Sequence, residues 1–453
     1  MFGRLFGDKS FYATLFRITV PIAVQQLLMS LLNAIDVVMI GQLGETSVAA
    51  VGLANQIYFL LALLLFGIGC GATIFAAQFW GRGDVRNIRR VLGISLLWGV
   101  AGSGLFTVLA TLAPGWALGV YSKDPAVVAA GSGYLRLVGL SYVVTAITFI
   151  YSSVLRSTEN VKLPMAVSVS ALSLKTGLSY LLIFGHLGFP ALGVMGAAIG
   201  TLVARYLECI ILLALTYARP SPAAARPREL FALDAPFLRQ FFKTTLPVVL
   251  AEVAWSLGMT TYNAVYARIG TESIAAVNIA STVENLAFVL FISMSNACAI
   301  MIGNKIGADE AEKAHVYAWR FLALGLIGAL AVGVAILLSA ETILSFFKIS
   351  AMTHASARGV LTVMALVLWI KVSNLMMIVG ILRSGGDTRF AFFVDAGSVW
   401  FVGVPLAFLG AFYFHLPVYW VVLLVIGDEA VKSVLSFRRV FSKRWVNNVV
   451  QYV

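Results

Sequence analysis

Twelve long apolar segments follow one another through this chain of 453 residues, and they constrain its fold more than any other feature. A helix that spans a membrane needs roughly 20 apolar residues, with a range of about 17–25. The segments cover residues 18–40, 48–79, 91–114, 127–155, 162–185, 192–217, 244–267, 273–302, 317–338, 359–382, 387–412 and 417–437. We therefore expect an all-α polytopic membrane protein with twelve transmembrane helices.

Composition excludes a water-soluble alternative. The chain is 60% hydrophobic and 11% charged, whereas soluble proteins are about 45–50% apolar and about 25% charged. Soluble enzymes and nucleic-acid binders are therefore excluded. The cysteines Cys70, Cys209 and Cys298 form no CxxC pair and the four histidines are scattered, so the sequence predicts no catalytic residue, no metal site and no cofactor.

The two halves of the chain resemble each other. Residues 16–21 (FRITVP) match residues 242–247 (FKTTLP), and residues 44–51 match residues 270–277, both at an offset of 226. Repetition of this kind indicates a duplicated architecture. Because each copy holds an even number of spans, we expect two six-helix lobes with the same topology, related by a pseudo-two-fold axis along the membrane normal.

One long polar segment, residues 218–240, separates the two halves and contains four prolines. The sequence predicts an N-terminal lobe at 1–217, this cytoplasmic linker at 218–240 as a hinge, and a C-terminal lobe with a cytoplasmic tail at 241–453.

The positive charges predict the orientation. Of 32 Lys and Arg side chains, 24 fall on the side that holds both termini, and the opposite loops hold only Lys123, Arg268, Lys348 and Arg358. Positive charge is concentrated on the cytoplasmic side of membrane proteins. Both termini are therefore expected in the cytoplasm, with the protein in the cytoplasmic (inner) membrane, and the net charge of +12 reflects topology.

Ionisable side chains recur inside the predicted spans, where each costs about 2.5–3.5 kcal/mol at a helix centre unless it meets a partner or water. Both signs occur in both halves, which favours a polar interior and a transporter. The set comprises Asp36, Arg136, Lys175, Arg205, Glu208, Glu252, Glu284, Lys371, Asp395, Asp428 and Glu429.

Asp36 lies 15 residues after Pro21 in the first span, about four helical turns along one face. A carboxylate that faces a cavity can take up H⁺ or Na⁺ and change how its helix packs, and the proline permits a kink. The alternative is a structural, salt-bridged carboxylate.

Glu252, Glu284 and Lys371 indicate either a second cation or substrate site in the C-terminal half or a buried Glu–Lys pair that fixes helix register. Asp395, near the start of its span, is interpreted as structural or as a member of that polar site. Asp428 and Glu429 are adjacent, and adjacent residues on a helix diverge. At most one of these two is expected at a shared site.

Three motifs give the chain its resemblance to a family. They are IDVVMIGQLG at 35–44, YLLIFG at 180–185 followed by GVMGAAIGT at 193–201, and GILRSGGDTR at 380–389. In this order on a duplicated twelve-span frame, they resemble the MATE (multidrug and toxic compound extrusion) transporters of the wider superfamily that includes lipid-linked oligosaccharide flippases. The resemblance implies two lobes around a V-shaped cavity, and export of amphiphilic organic cations in exchange for Na⁺ or H⁺.

The resemblance also implies a cation site in the N-terminal lobe. It would comprise Asp36 and Thr201, with an Asn and an Asp on the fifth helix and with Pro21 as the bending point of the first. This chain departs on the fifth helix, where the Asn and Asp positions hold Lys175 and Ser179. An ammonium in place of an amide oxygen, and a hydroxyl in place of a carboxylate, remove the charge that a Na⁺ site needs. We therefore expect H⁺ coupling, either at Asp36 with Lys175 or at Glu252 and Glu284.

The leading hypothesis is a monomeric secondary transporter that exports amphiphilic, cationic compounds, with lipid and small molecules as its partners. A flippase for lipids or lipid-linked precursors on the same frame remains the alternative. A non-transporting receptor is disfavoured by the duplication and the intramembrane charges. An ATP-driven pump is disfavoured because the chain has no GxxxxGK[ST] loop.

Overall fold

Two compact units make up the fold in this computed structural model, which describes residues 8–232, 234–347 and 349–451. One, here called the N-unit, runs from Val20 to Phe241, and the other, the C-unit, takes the residues up to Thr19 and those from Phe242 onward. The chain therefore passes between the units at only two points, after Thr19 and after Phe241. Arg4 and Lys348, which entered the charge argument, lie outside the described residues.

The first helix, α1 (Lys9–Gly41), begins in the C-unit and continues into the N-unit. Eight helices then lie wholly in the N-unit. They are α2 (Glu45–Arg82), α3 (Val85–Leu112), α4 (Pro114–Gly119), α5 (Pro125–Gly139), α6 (Tyr142–Ser157), α7 (Lys162–Phe184), α8 (Val194–Tyr217) and α9 (Pro227–Leu230).

The helix α10 (Ala235–Ile269) begins in the N-unit and continues into the C-unit. Seven α-helices and three π-helical stretches follow. They are α11 (Thr271–Gly307), α12 (Ala311–Ser345), α13 (Ala351–Leu375), a π-helix at Met376–Arg383, α14 (Thr388–Ser398), a π-helix at Val399–Gly403, α15 (Val404–Phe408), a π-helix at Leu409–Tyr413, α16 (Val418–Val425) and α17 (Gly427–Phe441).

Local sequence fixes where the helices turn. Gly83 adopts a positive φ of 76° and ends α2, a conformation that a residue without Cβ adopts at little cost. Asp84 then caps α3 by accepting a hydrogen bond from the Asn87 amide. This Gly-Asp pair reverses the chain between two long apolar helices within two residues.

The helices match the apolar segments. Nine helices in the described residues are long and apolar enough to cross a membrane, and α5 with α6, bent by 49°, makes a tenth. The two remaining segments, 244–267 and 417–437, fall on α10 and on α16 with α17. Every regular element that the structure describes is helical, so the predicted fold class is confirmed at this level.

Within the N-unit, the linker packs against α3. The Pro222 carbonyl accepts a hydrogen bond from Arg89 Nε at 3.4 Å, and the Glu229 carboxylate lies 2.5 Å from Arg89 Nη1. The Leu230 carbonyl covers Gly93, where a Cβ would come within 1.9 Å of its oxygen. Residues 222–230 of the linker are therefore held against α3.

The C-terminal tail docks in a comparable way within the C-unit. Trp445 is fully buried, and its carbonyl would lie 2.3 Å from a Cβ on Gly385. The Asn447 amide donates to the Gly385 carbonyl at 2.8 Å. In each unit, a segment that follows the last predicted span therefore packs over a glycine. Whether residues 1–217 and 241–453 are separate domains stays a prediction.

Candidate functional site

Asp36 and Lys175 form an ion pair inside the N-unit. Asp36 lies near the end of α1 and is 8% exposed, and Lys175 Nζ, from α7, lies 2.5 Å from its Oδ2. The other carboxylate oxygen, Oδ1, is buried and accepts no hydrogen bond within the described part of the chain. The pair therefore joins α1 to α7 and leaves one oxygen that a proton can occupy.

The other predicted members of this site point elsewhere. Ser179 is 1% exposed, and its Oγ lies against α8 at Gly200. Thr201 donates its hydroxyl to the Ala197 carbonyl one turn earlier, at 2.9 Å. The Tyr134 ring, whose role the sequence did not indicate, lies beside Thr201 and within electrostatic reach of Asp36.

A second buried pair in the N-unit has a structural arrangement. Glu208 Oε2 accepts from Arg205 Nη1 at 2.8 Å on the same helix, and Glu208 Oε1 accepts from Ser168 Oγ at 2.8 Å. Both carboxylate oxygens are thus occupied, and Ser168 ties α7 to α8. Pro21 lies within α1, which continues through it as a helix.

The polar site predicted in the C-terminal half contains a larger network than the sequence indicated. Arg383, on the π-helix before α14, lies 2.6 Å from Glu252 Oε1 of α10 and 3.6 Å from Asp395 Oδ2 of α14. Only 3% of Arg383 is exposed. Inserted π-helical turns are frequent at functional sites.

Lys432 of α17 extends this network. Its Nζ lies 3.2 Å from Asp395 Oδ1, 3.0 Å from Glu429 Oε1 and 3.7 Å from Asp428 Oδ2. The expectation that at most one of Asp428 and Glu429 faces a shared site is therefore wrong. Although the two are adjacent, they stand four and three residues before Lys432, and both spacings bring side chains to one face of a helix.

Polar side chains complete the shell around these acids. Asn374 Nδ2 donates to Glu429 Oε2 at 2.6 Å, and Ser433 Oγ donates to Asn374 Oδ1 at 2.8 Å. The Tyr262 hydroxyl donates to Asp428 Oδ2 at 3.2 Å. Glu252 and Glu429 thus belong to one network that involves α10, α13, α14 and α17.

Glu284 and Lys371 form a separate pair between α11 and α13, with Lys371 Nζ 2.5 Å from Glu284 Oε1. Lys371 also interacts electrostatically with Glu429 and Asp428. The structure therefore divides the predicted site into Glu252 with Asp395 on one side and Glu284 with Lys371 on the other.

The charges of the C-unit network do not balance. When the separate Glu284–Lys371 pair is counted with it, five carboxylates face three basic groups, an excess of two negative charges. The set is Glu252, Glu284, Asp395, Asp428, Glu429, Lys371, Arg383 and Lys432. Buried charges are costly without compensation. Such a network is suited to accept protons or another cation.

The positions of the first copy that are equivalent to this network carry different charges. The Leu-Arg-Ser sequences at 155–157 and 382–384 match at an offset of 227, so Arg156 occupies the position of Arg383 in the first copy. Its one side-chain hydrogen bond among the described residues goes to Ser153 Oγ at 3.5 Å. The position equivalent to Glu252 holds Gln26. The two copies thus share a frame and differ in the polarity of their interiors.

Two of these basic residues were missed as site residues by sequence reasoning. Arg383 stands within the repeated Leu-Arg-Ser motif, and that repetition could have drawn attention to it. Lys432 had no such signal, because it was grouped with the basic residues of the C-terminal end. The described residues include no cluster of His, Cys, Asp and Glu that could hold a metal ion.

The sequence model of the MatE family matches this chain twice, at residues 21–181 and at residues 247–409. The chain belongs to the MatE family. Both matches begin at a proline, Pro21 and Pro247, at the spacing of the internal repeat. MatE proteins are membrane transporters and not enzymes, so the chain is a multi-pass transporter with the twelve-helix, two-lobe layout of that family.

Similar proteins extend over nearly the whole chain. The Bacillus subtilis protein named uncharacterized transporter YisQ is 26% identical over 97% of this chain and 96% of its own length. The probable multidrug resistance protein NorM of Rhizobium meliloti is 30% identical over 69% of this chain and 67% of its own.

Solved structures show the same fold. The Vibrio cholerae MATE transporter VcmN superposes with a TM-score of 0.88 at 21% identity, over 98% of this chain and 99% of its own. A MOP superfamily transporter from Pyrococcus furiosus, described as having a binding pocket of reversed polarity, superposes with a TM-score of 0.86 at 20% identity. That comparison covers 95% of this chain and 96% of the other.

Proposed function

We propose that this protein is a secondary active exporter of amphiphilic, cationic organic compounds, and that it couples export to the entry of H⁺ and not of Na⁺. The observation that carries the choice of ion is the 2.5 Å contact between Lys175 Nζ and Asp36 Oδ2. The drug-resistance names of the NorM relatives support the substrate class.

An ammonium group in this position competes with Na⁺. A hard cation such as Na⁺ needs several oxygen ligands and negative charge, as the better-known Ca²⁺ and Mg²⁺ sites do. Lys175 already neutralises Asp36, and Ser179 faces α8 at Gly200. Protonation of Asp36 would instead break the ion pair and release α7 from α1, which is how a proton can change helix packing.

A second location for coupling is the C-unit network. Its carboxylates, which contact Arg383 and Lys432, outnumber its basic groups by two, and this excess supports proton uptake there. The groups facing these acids also include Tyr262, Tyr266 and Lys371. We propose that Glu252 and Glu284 act in this role if Asp36 with Lys175 proves to be a permanent ion pair.

We further propose that the protein works as a monomer in the cytoplasmic membrane with both termini in the cytoplasm. The distribution of Lys and Arg supports this orientation.

The direct experiment uses the purified protein in liposomes loaded with a fluorescent organic cation. Efflux is followed first under a pH gradient and then under a Na⁺ gradient. Flux driven by the pH gradient alone is the expected result, and flux driven by Na⁺ alone would overturn the choice of ion. If neither gradient drives flux, lipid translocation is measured in the same vesicles with a fluorescent lipid, since a flippase is the alternative.

A further inference from the structure

The two helices that connect the units begin with the same structural feature. Asp8 precedes α1 and accepts a hydrogen bond from the Phe11 amide at 3.2 Å. Asp234 precedes α10 and accepts one from the Phe237 amide at 2.9 Å. These pairs stand 226 residues apart, the offset of the internal repeat.

Each Asp-Phe pair is held by one arginine. In the C-unit, Arg320 Nη1 lies 2.9 Å from Asp8 Oδ2 and the guanidinium lies 5.1 Å from the centroid of the Phe11 ring, which is fully buried. In the N-unit, Arg90 pairs with Asp234 and lies 4.4 Å from the centroid of the Phe237 ring, which is 1% exposed. We call these two triads the amino-terminal anchors.

The arginines do not occupy equivalent positions. Arg90 would correspond to Val316 at the repeat offset, one helical turn before Arg320. The ion pair and the ring contact therefore recur in both copies, although the arginine that makes them stands at a different position in each copy. Simple inheritance from a duplicated ancestor does not explain such a recurrence, which indicates that the contact itself is required.

The anchors stand next to the two points at which the chain changes unit. The first turns of α1, up to Thr19, belong to the C-unit, and the rest of α1 belongs to the N-unit. The first turns of α10, up to Phe241, belong to the N-unit, and the rest belongs to the C-unit. Any change between the units must be absorbed near these points, because no other covalent path connects them.

The charge of the anchors is insensitive to physiological pH. The Ser10 hydroxyl and Arg320 hold the pKa of Asp8 well below its ordinary value, and the Phe237 amide and Arg90 lower the pKa of Asp234. A carboxylate with a lowered pKa in the folded state loses its contribution only as the pH falls through that lowered value. Both anchors therefore keep their ion pairs at physiological pH.

We propose that Asp8, Phe11 and Arg320, together with Asp234, Phe237 and Arg90, are positioning residues that stay closed throughout transport. They fix the first turns of α1 and α10, so that bending is confined to the segments 19–21 and 241–247. Substrate release would then depend on these short segments and not on release of the helix starts.

The test uses paired cysteines in a background without Cys70, Cys209 and Cys298. Asp8→Cys/Arg320→Cys and Asp234→Cys/Arg90→Cys are each measured for flux before and after linkage by a short bifunctional thiol reagent. Before linkage we expect flux to fall about tenfold, as for loss of a charged hydrogen bond, and after linkage to recover. Flux that is normal before linkage and lost after it would overturn the proposal, as would flux unaffected by either.

Two further measurements test the anchors independently of the proposed substrate and coupling ion. Amide hydrogen exchange of residues 9–19 in the unmodified protein should be equally slow with and without a pH gradient, and faster exchange under the gradient would show that the anchor opens. The charge-swapped variant Asp8→Arg/Arg320→Asp should recover the flux that is lost in Asp8→Asn. Failure to recover it would count against a role for the ion pair. Glu229→Gln, which removes the neighbouring contact of the linker with Arg89, is the control and should leave flux unchanged.

Discussion

Two lysines and one arginine determine much of the chemistry inside the units. Lys175 neutralises Asp36 in the N-unit, whereas Arg383 and Lys432 gather Glu252, Asp395 and Glu429 in the C-unit. The first contact could be anticipated because the family resemblance placed Lys175 beside Asp36. The second group of contacts could not be anticipated, because its members come from α10, α14, α17 and a π-helix. The periodicity of one helix does not show how four separate helical segments face one another.

Arg383 should be important for stability. Replacing it with leucine leaves Glu252 and Asp395 buried beside an apolar side chain, and breaking a buried ion pair costs about 3–5 kcal/mol. Arg156→Leu at the equivalent position is the matched control, because Arg156 contacts Ser153 and no carboxylate in the described residues. Thermal unfolding in detergent should show a much lower midpoint for Arg383→Leu than for Arg156→Leu. Equal midpoints would contradict the network.

Asp36→Asn separates a coupling role from a structural one. The amide keeps the shape of the side chain but removes the charge that Lys175 faces. If Asp36 carries the proton, the variant should fold with nearly normal yield and lose flux driven by a pH gradient. If the protein is instead lost on size-exclusion chromatography, the pair is a permanent ion pair that joins α1 to α7.

At the scale of elements, hydropathy located the helices because lipid imposes both their length and their apolar surface. The break between α5 and α6 and the π-helices around Arg383 were not predicted, since the apolar runs continue through them. The docking of the linker was also missed. Its prolines are typical of a flexible segment, whereas the deciding feature is Gly93, a glycine on a different helix.

Gly93→Ala tests this docking. A Cβ at Gly93 would lie 1.9 Å from the Leu230 carbonyl oxygen, and overpacking of this kind costs about 1–3 kcal/mol. We expect a lower unfolding temperature and faster proteolysis within residues 218–232. Gly104→Ala on the same helix meets no atom within 4 Å and is the control. Identical proteolysis of the two variants would show that the linker does not depend on this contact.

At the scale of the whole molecule, duplication produced two units that share a frame and differ in charge. The repeat spacing of 226 residues recurs in the two family matches and in the two anchors, so the twelve-helix layout could be predicted from the sequence. The different polarity of the two interiors could not, because it depends on which side chains meet. Because Lys175 and Ser179 stand at the two positions where the family resemblance implies Na⁺ ligands, we propose coupling by protons.

The measurement that tests this account most directly compares the wild type with Lys175→Asn/Ser179→Asp in liposomes. The double substitution places an amide and a carboxylate at the two α7 positions where the family resemblance implies them, and Lys175→Asn alone is the control for loss of the ammonium. The account predicts that export of a fluorescent cation by the wild type responds to a pH gradient alone, and that a response to Na⁺ appears in the double variant. Export by the wild type that is driven by Na⁺ and abolished by Asp36→Asn would contradict it.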